Sequence, residues 1–532
     1  MAAFKVAKII LGLVFLGVVG SVLSQETPEQ LSREEIVGMF PLAAEHEYEI
    51  VPIHKSRLQK RALNGGFHLT LTAFGENIKL WLNPQEGTLA SYQTRVWLLR
   101  NRDQLIEQPN YMRQIIPRMY QDHASAATLY IDNLKQGAIQ LYGAIGNNQY
   151  YVQPFPNGNY RRYPRSADNN TEAFPDHQYH IVYKVPDGRQ YLNKLLNPLQ
   201  NLWNNQPNKY SQINTVYPEI MVVIDYPLFQ KMNYSLDFAV RYTLAFFNAV
   251  DLKYRSFDTP KYRLNVAGII VAADPEALPY AQEVYYNTKP ALLNADVLLQ
   301  QSEPWMGWLG QMIGHDSFDT AITLTSRTLC VNKPGGCFPG SIGYANVGLY
   351  CKPFRAPNDP NRLWRRGHGV VYDFADFEGI RTTAHELGHL FGVNHDGDNW
   401  KNQNCDANKG HIMTPSVKFT DNGSEWSYCS LTEFQEYLNN KEPTCLFNQP
   451  KGTGDKISRF LPGQMMDANQ QCFHYVGTRA HVINESICRS LACVDPNRPG
   501  YYIQSFEAAE GTRCGPKSIC LHSKCVPLAS IQ

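Results

Sequence analysis

Cysteine is absent from the first 329 residues of this 532-residue chain, then appears twelve times between Cys330 and Cys525. The N-terminal half therefore cannot form a disulfide or lend a thiolate to a metal. A surplus of one charge is lacking too: 49 basic residues face 48 acidic ones, for a net +1. No global field is available to draw the protein onto nucleic acid or anionic lipid, so recognition has to be local. Nucleic acid is excluded as a partner on that ground. Long apolar runs are missing as well. The longest lies within "MAAFKVAKIILGLVFLGVVGSVLSQETPEQ", from Ile9 to Val19, well short of the roughly 20 residues that span a bilayer. Lys5 and Lys8 precede it and small residues follow, which is the pattern of a signal peptide over residues 1–24 with cleavage after Ser24. The mature protein is then expected to be secreted, free of membrane insertion and monomeric.

What is present fits that address. An even number of cysteines in an oxidising compartment implies a disulfide framework, most simply six bridges. Four Asn-x-Ser/Thr sequons, at Asn169, Asn233, Asn422 and Asn484, are compatible with export. The length implies three or four units, and no internal repeat is visible.

Residues 25–212 are rich in Asn, Gln, Tyr and Pro, and runs such as "FHLTLTAF" and "IKLWLN" alternate like strands of a β-rich unit. From "YPEIMVVIDYPLF" the texture changes. "YSLDFAVRYTLAFFNAVDLKY" repeats its apolar residues at helical spacing, and "YRLNVAGIIVAAD" reads as a buried strand. That order predicts an α/β unit over residues 213–450, with a mixed twisted sheet and long helices. The remaining 451–532 form a small unit whose six cysteines must supply much of its stability. Two basic clusters, "RLQKR" ending at Arg61 and "RRYPR" ending at Arg165, are candidate processing sites, and the second lies nearer the start of the α/β unit.

The chemistry concentrates in "HELGHLFGVNHDG", residues 385–397. On a helix His385 and His389 face one point, and Glu386 lies beside them without occupying a ligand position. Gly392 suits a left-handed helix cap that would turn the chain and return His395 to the same point. Three imidazoles leave a fourth position open, as in catalytic rather than structural zinc. Zinc there would acidify water and polarise a peptide carbonyl, with Glu386 as general base. Incidental histidines on a helix are the bland alternative, and the spacing argues against it. Met413, in "GHIMTP" eighteen residues beyond His395, would elsewhere be ordinary core packing; here it suits a turn beneath the metal.

These segments resemble the metzincin clan of zinc metalloproteases, and Asp396 after the third histidine resembles its reprolysin (adamalysin) branch. "YPEIMVVID", "HDSFDTAITLTS", "IGYANVGLYC" and "WSYCSLTEFQEYL" are similar to that branch's elements. The C-terminal "FLPGQMMDANQQC", "ICRSLACVDP" and "AAEGTRCGPKSICLHSKCVP" are similar to the disintegrin-like module of ADAMTS proteases, so 451–532 is expected to be a cysteine-rich disintegrin-like domain. The overall make-up is most like the secreted salivary reprolysins of ticks. The resemblance implies His385, His389 and His395 as zinc ligands, Glu386 as base, Met413 as the methionine turn, and Gly343, Tyr344 and Ala345 as a substrate-side edge strand. It also implies a structural calcium ion on Glu219, Asp316, the Cys445 carbonyl and Asn448. It pairs Cys351 with Cys445 and Cys405 with Cys429, leaving Cys330 with Cys337 as a local clip. Residues 25–212 would be the prodomain, removed after Arg165, and extracellular proteins of the matrix or fibrinogen kind the substrates.

Two departures qualify this. Relatives often block the zinc with a prodomain cysteine, and none exists here, so latency is expected to be steric. No thrombospondin-type repeat follows, so targeting through such repeats is not expected, and without an Arg-Gly-Asp sequence integrin binding gets no support. A rival from another class is a binding, anti-haemostatic protein acting through its cysteine-rich tail.

Overall fold

The computed structural model describes most of residues 47–154, then 177–184, nearly all of 214–450, and 461–515 with 518–527, together with three positions between 32 and 36. The expected signal peptide, Arg61, Arg165 and Asn169 lie outside the described residues.

The N-terminal region forms a nine-stranded antiparallel sheet. Its strands are β1 (Glu47–His54), β2 (Gln59–Lys60), β3 (Phe67–Ala73) and β4 (Glu76–Pro84), then, beyond an interruption, β7 (Arg118–Asp122), β8 (Ala127–Asn133), β9 (Ile139–Ile145), β10 (Tyr150–Pro154) and β11 (His177–Lys184). They lie in the order β1-β11-β10-β9-β8-β7-β4-β3-β2. The alternation legible in "FHLTLTAF" is real: Leu69, Leu71 and Ala73 are buried while Thr72 is exposed. Phe74 and Gly75 both take positive φ between β3 and β4, the two-residue hairpin turn that matches strand twist.

The interruption holds β5 (Arg95–Arg100) and β6 (Gln104–Glu107), which belong to a different sheet. The central sheet runs β15 (Gly343–Ala345), β16 (His368–Tyr372), β14 (Thr320–Thr325), β12 (Glu219–Ile224), β13 (Asn265–Ala272), β5, β6. Strands β5, β12, β13, β14 and β16 are parallel; β15 and β6 run antiparallel at the two edges. Every residue of β12 is buried, as a parallel strand covered on both faces requires. The α/β unit is therefore discontinuous in sequence, with two strands drawn from more than a hundred residues upstream of 213.

Helix α1 (Leu236–Tyr254) starts where the Ser235 hydroxyl accepts from the Phe238 amide, and α2 (Ala295–Ile313) where Asn294 accepts from Val297, each cap satisfying an orphan N–H. Helix α3 (Gly379–Leu390) follows β16, and α4 (Tyr428–Lys441) ends the unit. Tyr254 at the end of α1 donates to the Ala384 carbonyl of α3 at 2.9 Å.

The C-terminal unit is built on three bridges, Cys472–Cys493, Cys488–Cys520 and Cys514–Cys525, around a small cluster that includes Ile487 and Leu491. Cys330–Cys337, Cys351–Cys445 and Cys405–Cys429 are the bridges of the α/β unit. The tail docks through a buried ion pair: Lys253, 1% exposed, meets Glu510 at 3.2 Å and donates to Ser424 at 2.6 Å.

Candidate metal centre and active site

Helix α3 carries His385 and His389 one turn apart and stops at Leu390. Gly392 then adopts φ +86°, and its amide donates to the His389 carbonyl at 2.8 Å. A side chain could not sit there, because a Cβ would meet the Tyr437 ring at 2.7 Å. The turn returns His395, whose Nε2 lies 3.1 Å from Nε2 of His389 and 3.2 Å from that of His385.

The other ring nitrogens fix the tautomers. His385 Nδ1 faces the Ile412 carbonyl at 2.7 Å, His389 Nδ1 the Val393 carbonyl at 2.8 Å, and His395 Nδ1 the Asp398 carboxylate at 2.6 Å. Each Nδ1–H is thereby spent on an oxygen, leaving three Nε2 lone pairs turned to one point. Burial drives the His385 pKa well down and that of His389 to about 4, so both rings are neutral donors. Three nitrogens about 2.0–2.1 Å from a tetrahedral ion stand roughly 3.3–3.4 Å apart. The observed spacing of the three imidazole nitrogens fits zinc.

Glu386 follows His385 directly on α3. It is 4% exposed, its Oε2 has no hydrogen-bond partner, and burial holds its carboxyl well above the usual range. Gly343 of β15 passes so close that a Cβ would lie 2.4 Å from Glu386 Oε1 and 2.5 Å from Thr382 Cγ2. Tyr344 is anchored by its hydroxyl, which donates to Asp296 of α2 at 2.6 Å. Gly343, Tyr344 and Ala345 thus form an edge strand that passes close to Glu386 at Gly343.

Met413 is fully buried below, and Gly388 explains how it gets there: a Cβ on Gly388 would meet Met413 Sδ at 2.8 Å. The Met413 carbonyl accepts from the Asp396 amide at 2.9 Å. Asp396, 1% exposed, accepts from the Ser427 hydroxyl at 2.5 Å, so its carboxylate ties the turn that carries His395 to the start of α4.

The residues expected to hold calcium lie as follows. Asn448 donates to Glu219 at 2.6 Å, beside the Cys351–Cys445 bridge. Asp316 lies on a short 3-10 turn, His315–Ser317. Nearer to Glu219 is Asp319, which the sequence reading passed over although it lies inside "HDSFDTAITLTS"; it accepts from the Glu219 amide at 2.9 Å. Burial, with the Glu219 charge and then that of Asp316 adding to it, raises its pKa well above the usual range. Asn233 and Asn484 are exposed, whereas the Asn422 amide donates to the Lys409 carbonyl at 3.0 Å.

Arg381 was also missed. One turn before His385, it is 5% exposed and donates to the carbonyls of Gly410, His411 and Lys418 at 2.9, 3.3 and 3.0 Å. It also pairs with Glu507 of the C-terminal unit at 2.9 Å. One guanidinium therefore joins the histidine helix, the turn before Met413 and the tail. Arg381 is the only arginine or lysine on this helix, but its acidic partner lies 126 residues away.

With this geometry in place, likenesses to known proteins take on meaning. Residues 367–450 match the Reprolysin (M12B) family zinc metalloprotease model, 240–396 the M12B reprolysin-like metallo-peptidase model, and 462–526 ADAMTS cysteine-rich domain 2. The tail is thus of the cysteine-rich kind, and no disintegrin description attaches to the match. "A disintegrin and metalloproteinase with thrombospondin motifs like" of Bombyx mori is 26% identical, over 87% of this chain and 73% of that protein. Venom metalloproteinase 2 of Eulophus pennicornis is 32% identical over 41% of this chain and 48% of its own length. "A disintegrin and metalloproteinase with thrombospondin motifs 18" of Mus musculus is 31% identical over 42% of this chain, which spans only 18% of it. The crystal structure of metalloproteinase-II from Bacteroides fragilis overlaps 76% of this chain and 96% of its own, at 12% identity and a TM-score of 0.28, too loose a likeness to argue from.

Proposed function

We propose that this chain, a reprolysin/ADAMTS-like metalloprotease, is a secreted zinc-dependent endopeptidase of extracellular proteins. The observation that carries the reading is the convergence of three Nε2 atoms, 3.1 and 3.2 Å apart, beside the buried Glu386 carboxyl. Zinc, when bound, supplies the Lewis acid for a peptide carbonyl and acidifies water.

The chain's own residues do the rest. Glu386 takes a proton from the attacking water and returns it to the leaving amine. Burial raises its proton affinity, while a neighbouring cation draws the carboxyl back towards ionisation. The outer edge of β15 offers backbone N–H and C=O groups to an extended peptide, which adds a strand. Tyr344, held by Asp296, keeps that edge in register, and Gly343 lets it approach Glu386. Residues after Met413, "TPSVKF", form the wall of the main specificity pocket. His385, His389 and His395 hold the ion, each oriented by its own Nδ1 partner.

Six disulfides support an extracellular address, as does the similarity to venom metalloproteinases. Among the described residues no helix is long and apolar enough to cross a membrane. Glu219, Asp316, Asn448 and the Cys445 carbonyl are proposed to hold a calcium ion, a hard cation suited to oxygens. Matrix proteins and fibrinogen are the substrate class proposed. Latency is proposed to be steric, since no N-terminal thiol exists.

The tail sustains a second reading. Tyr501, Tyr502 and Phe473 are 65%, 54% and 66% exposed, and His481 stacks on Tyr502, a surface fit to engage a partner protein. Glu386→Gln separates the two. Loss of cleavage of gelatin and fibrinogen, with the melting temperature and zinc content unchanged, supports catalysis. Retained cleavage sinks it, and a biological effect that survives the substitution assigns that effect to the tail.

A further inference from the structure

The segment that precedes the expected processing site is built into the peptidase itself. Strand β5 pairs in parallel with β13, in the register Gly268↔Arg95, Ile269↔Val96, Ile270↔Trp97, Val271↔Leu98 and Ala272↔Leu99. Flanking bonds extend the seam. The Val266 amide donates to Leu89 at 2.6 Å, the Ala273 amide to Leu99 at 2.9 Å, and the Asn101 amide to the Asp274 carboxylate at 3.0 Å. Both faces of β5 are covered. Val96 packs with Leu89, Ala90 and Met112 into the core that holds α1 and α3, while Trp97 and Leu99 enter the core around α2. Gly268 on β13 is open for the Trp97 ring, since a Cβ there would lie 2.5 Å from it. This is an internal strand rather than a surface strap.

The traffic also runs the other way. Strand β11 lies beyond Arg165, on the peptidase side of the expected cut, yet it is an internal strand of the N-terminal sheet. It pairs with β1 over eight residues, from Glu47↔Lys184 to His54↔His177, and with β10 over five. His180, Ile181 and Val182 are fully buried, and His180 Nε2 accepts from the Leu141 amide at 2.9 Å. All twelve cysteines lie beyond residue 329 and pair among themselves, so no disulfide joins the two regions.

We infer that cleavage after Arg165, or anywhere between Pro154 and His177, does not release the N-terminal piece. The product is a two-chain protein held without covalent bonds, in which each chain supplies an internal strand to the other's sheet. Residues 89–115 act as a permanent part of the peptidase, because their removal would bare the β13 edge and open both halves of its core. Relief of latency by such a cut then has to come from rearrangement of the bound piece, not from its departure.

The test replaces the "RRYPR" sequence ending at Arg165 by the recognition sequence of a site-specific protease and cuts the folded protein. Folding is complete before the cut, so the outcome does not depend on a fragment's ability to fold. The expected result is two bands on a non-reducing denaturing gel from one native size-exclusion peak of undiminished mass. Amides of Asn265–Ala272 should keep their hydrogen-exchange protection within about threefold. Separation of the N-terminal fragment in native buffer, or loss of protection along Asn265–Ala272, overturns the inference. Neither readout depends on zinc or on peptidase activity.

Discussion

The central sheet ends in two very different ways. At one edge β15 is three residues long and antiparallel to β16, with no strand outside it among the described residues. At the other, β13 is covered by β5, and β5 by the short, largely exposed β6. An unpaired edge invites another strand. Here one edge is closed with the chain's own upstream residues, and the other stays open where an extended substrate is wanted. The open edge lies against Glu386 and the closed one lies across the sheet from it. On the proposed reading, strand addition would be directed to the side that carries Glu386.

The largest effect belongs to the open edge. Glu386→Gln should lower kcat/KM on a peptide substrate by roughly 10² to 10⁴-fold, the usual share of a general base, while the thermal midpoint stays within about 2 °C. A comparable loss of stability would mean that Glu386 acts mainly in packing, and the contrast between the edges would blur. The closed edge answers in the opposite currency. Trp97→Ala should cost about 3–5 kcal/mol in urea unfolding, as for other buried aromatics, with little change in kcat/KM for the molecules that remain folded. A selective loss of activity there would break the comparison.

Gly343→Ala sharpens it at a single atom. The added methyl meets Glu386 Oε1 and Thr382, an overpacking worth about 1–3 kcal/mol. Activity should therefore fall by about tenfold to a hundredfold, more than stability does. The same change at Gly477, where a Cβ meets nothing but φ is +76°, should affect stability alone.

The two edges also differed in how far they could be read in advance. The open side was legible because its chemistry is local: His385, Glu386, His389 and Gly392 sit on one helix and its cap, and spacing alone predicts where their side chains go. Elements such as Glu219–Ile224 and Leu236–Tyr254 were legible from periodicity for the same reason. The closed side was not. "RVWLLR" reads as a strand of whichever sheet surrounds it, and nothing within six residues says that its partner is Gly268–Ala272. Arg381 and Glu507, or Glu219 and Asp319, were hidden likewise, because pairing across a hundred residues or more leaves no local pattern.

The smallest effect comes from carboxyls behind the open edge, between β16 and α3. Asp373 accepts from the Tyr242 hydroxyl at 2.6 Å and from the amides of Ala375 and Gly379, and burial still raises its pKa to about 6. Asp376 is pushed up to about 8, first by burial and then by the Asp373 charge. Glu378 beside them is raised well above its usual range by burial and both aspartates, and its Oε1 is unpartnered. Tyr372 and Tyr475 feel the same charges. Groups with raised folded pKa values bind more protons folded than unfolded, so their ionisation erodes stability as pH rises. For Asp373 and Asp376 the erosion begins near the unfolded value of about 4 and is complete above about 8. Asp376→Asn removes one proton site from that cluster without removing its hydrogen-bonding shape. Thermal midpoints should coincide with wild type near pH 4.5, and at pH 8.5 the variant should melt a few °C higher. A midpoint lower than wild type at pH 8.5 would mean that the Asp376 charge is needed there, for instance as a cation ligand. The region behind the open edge would then be a second metal-dependent element rather than a store of electrostatic strain.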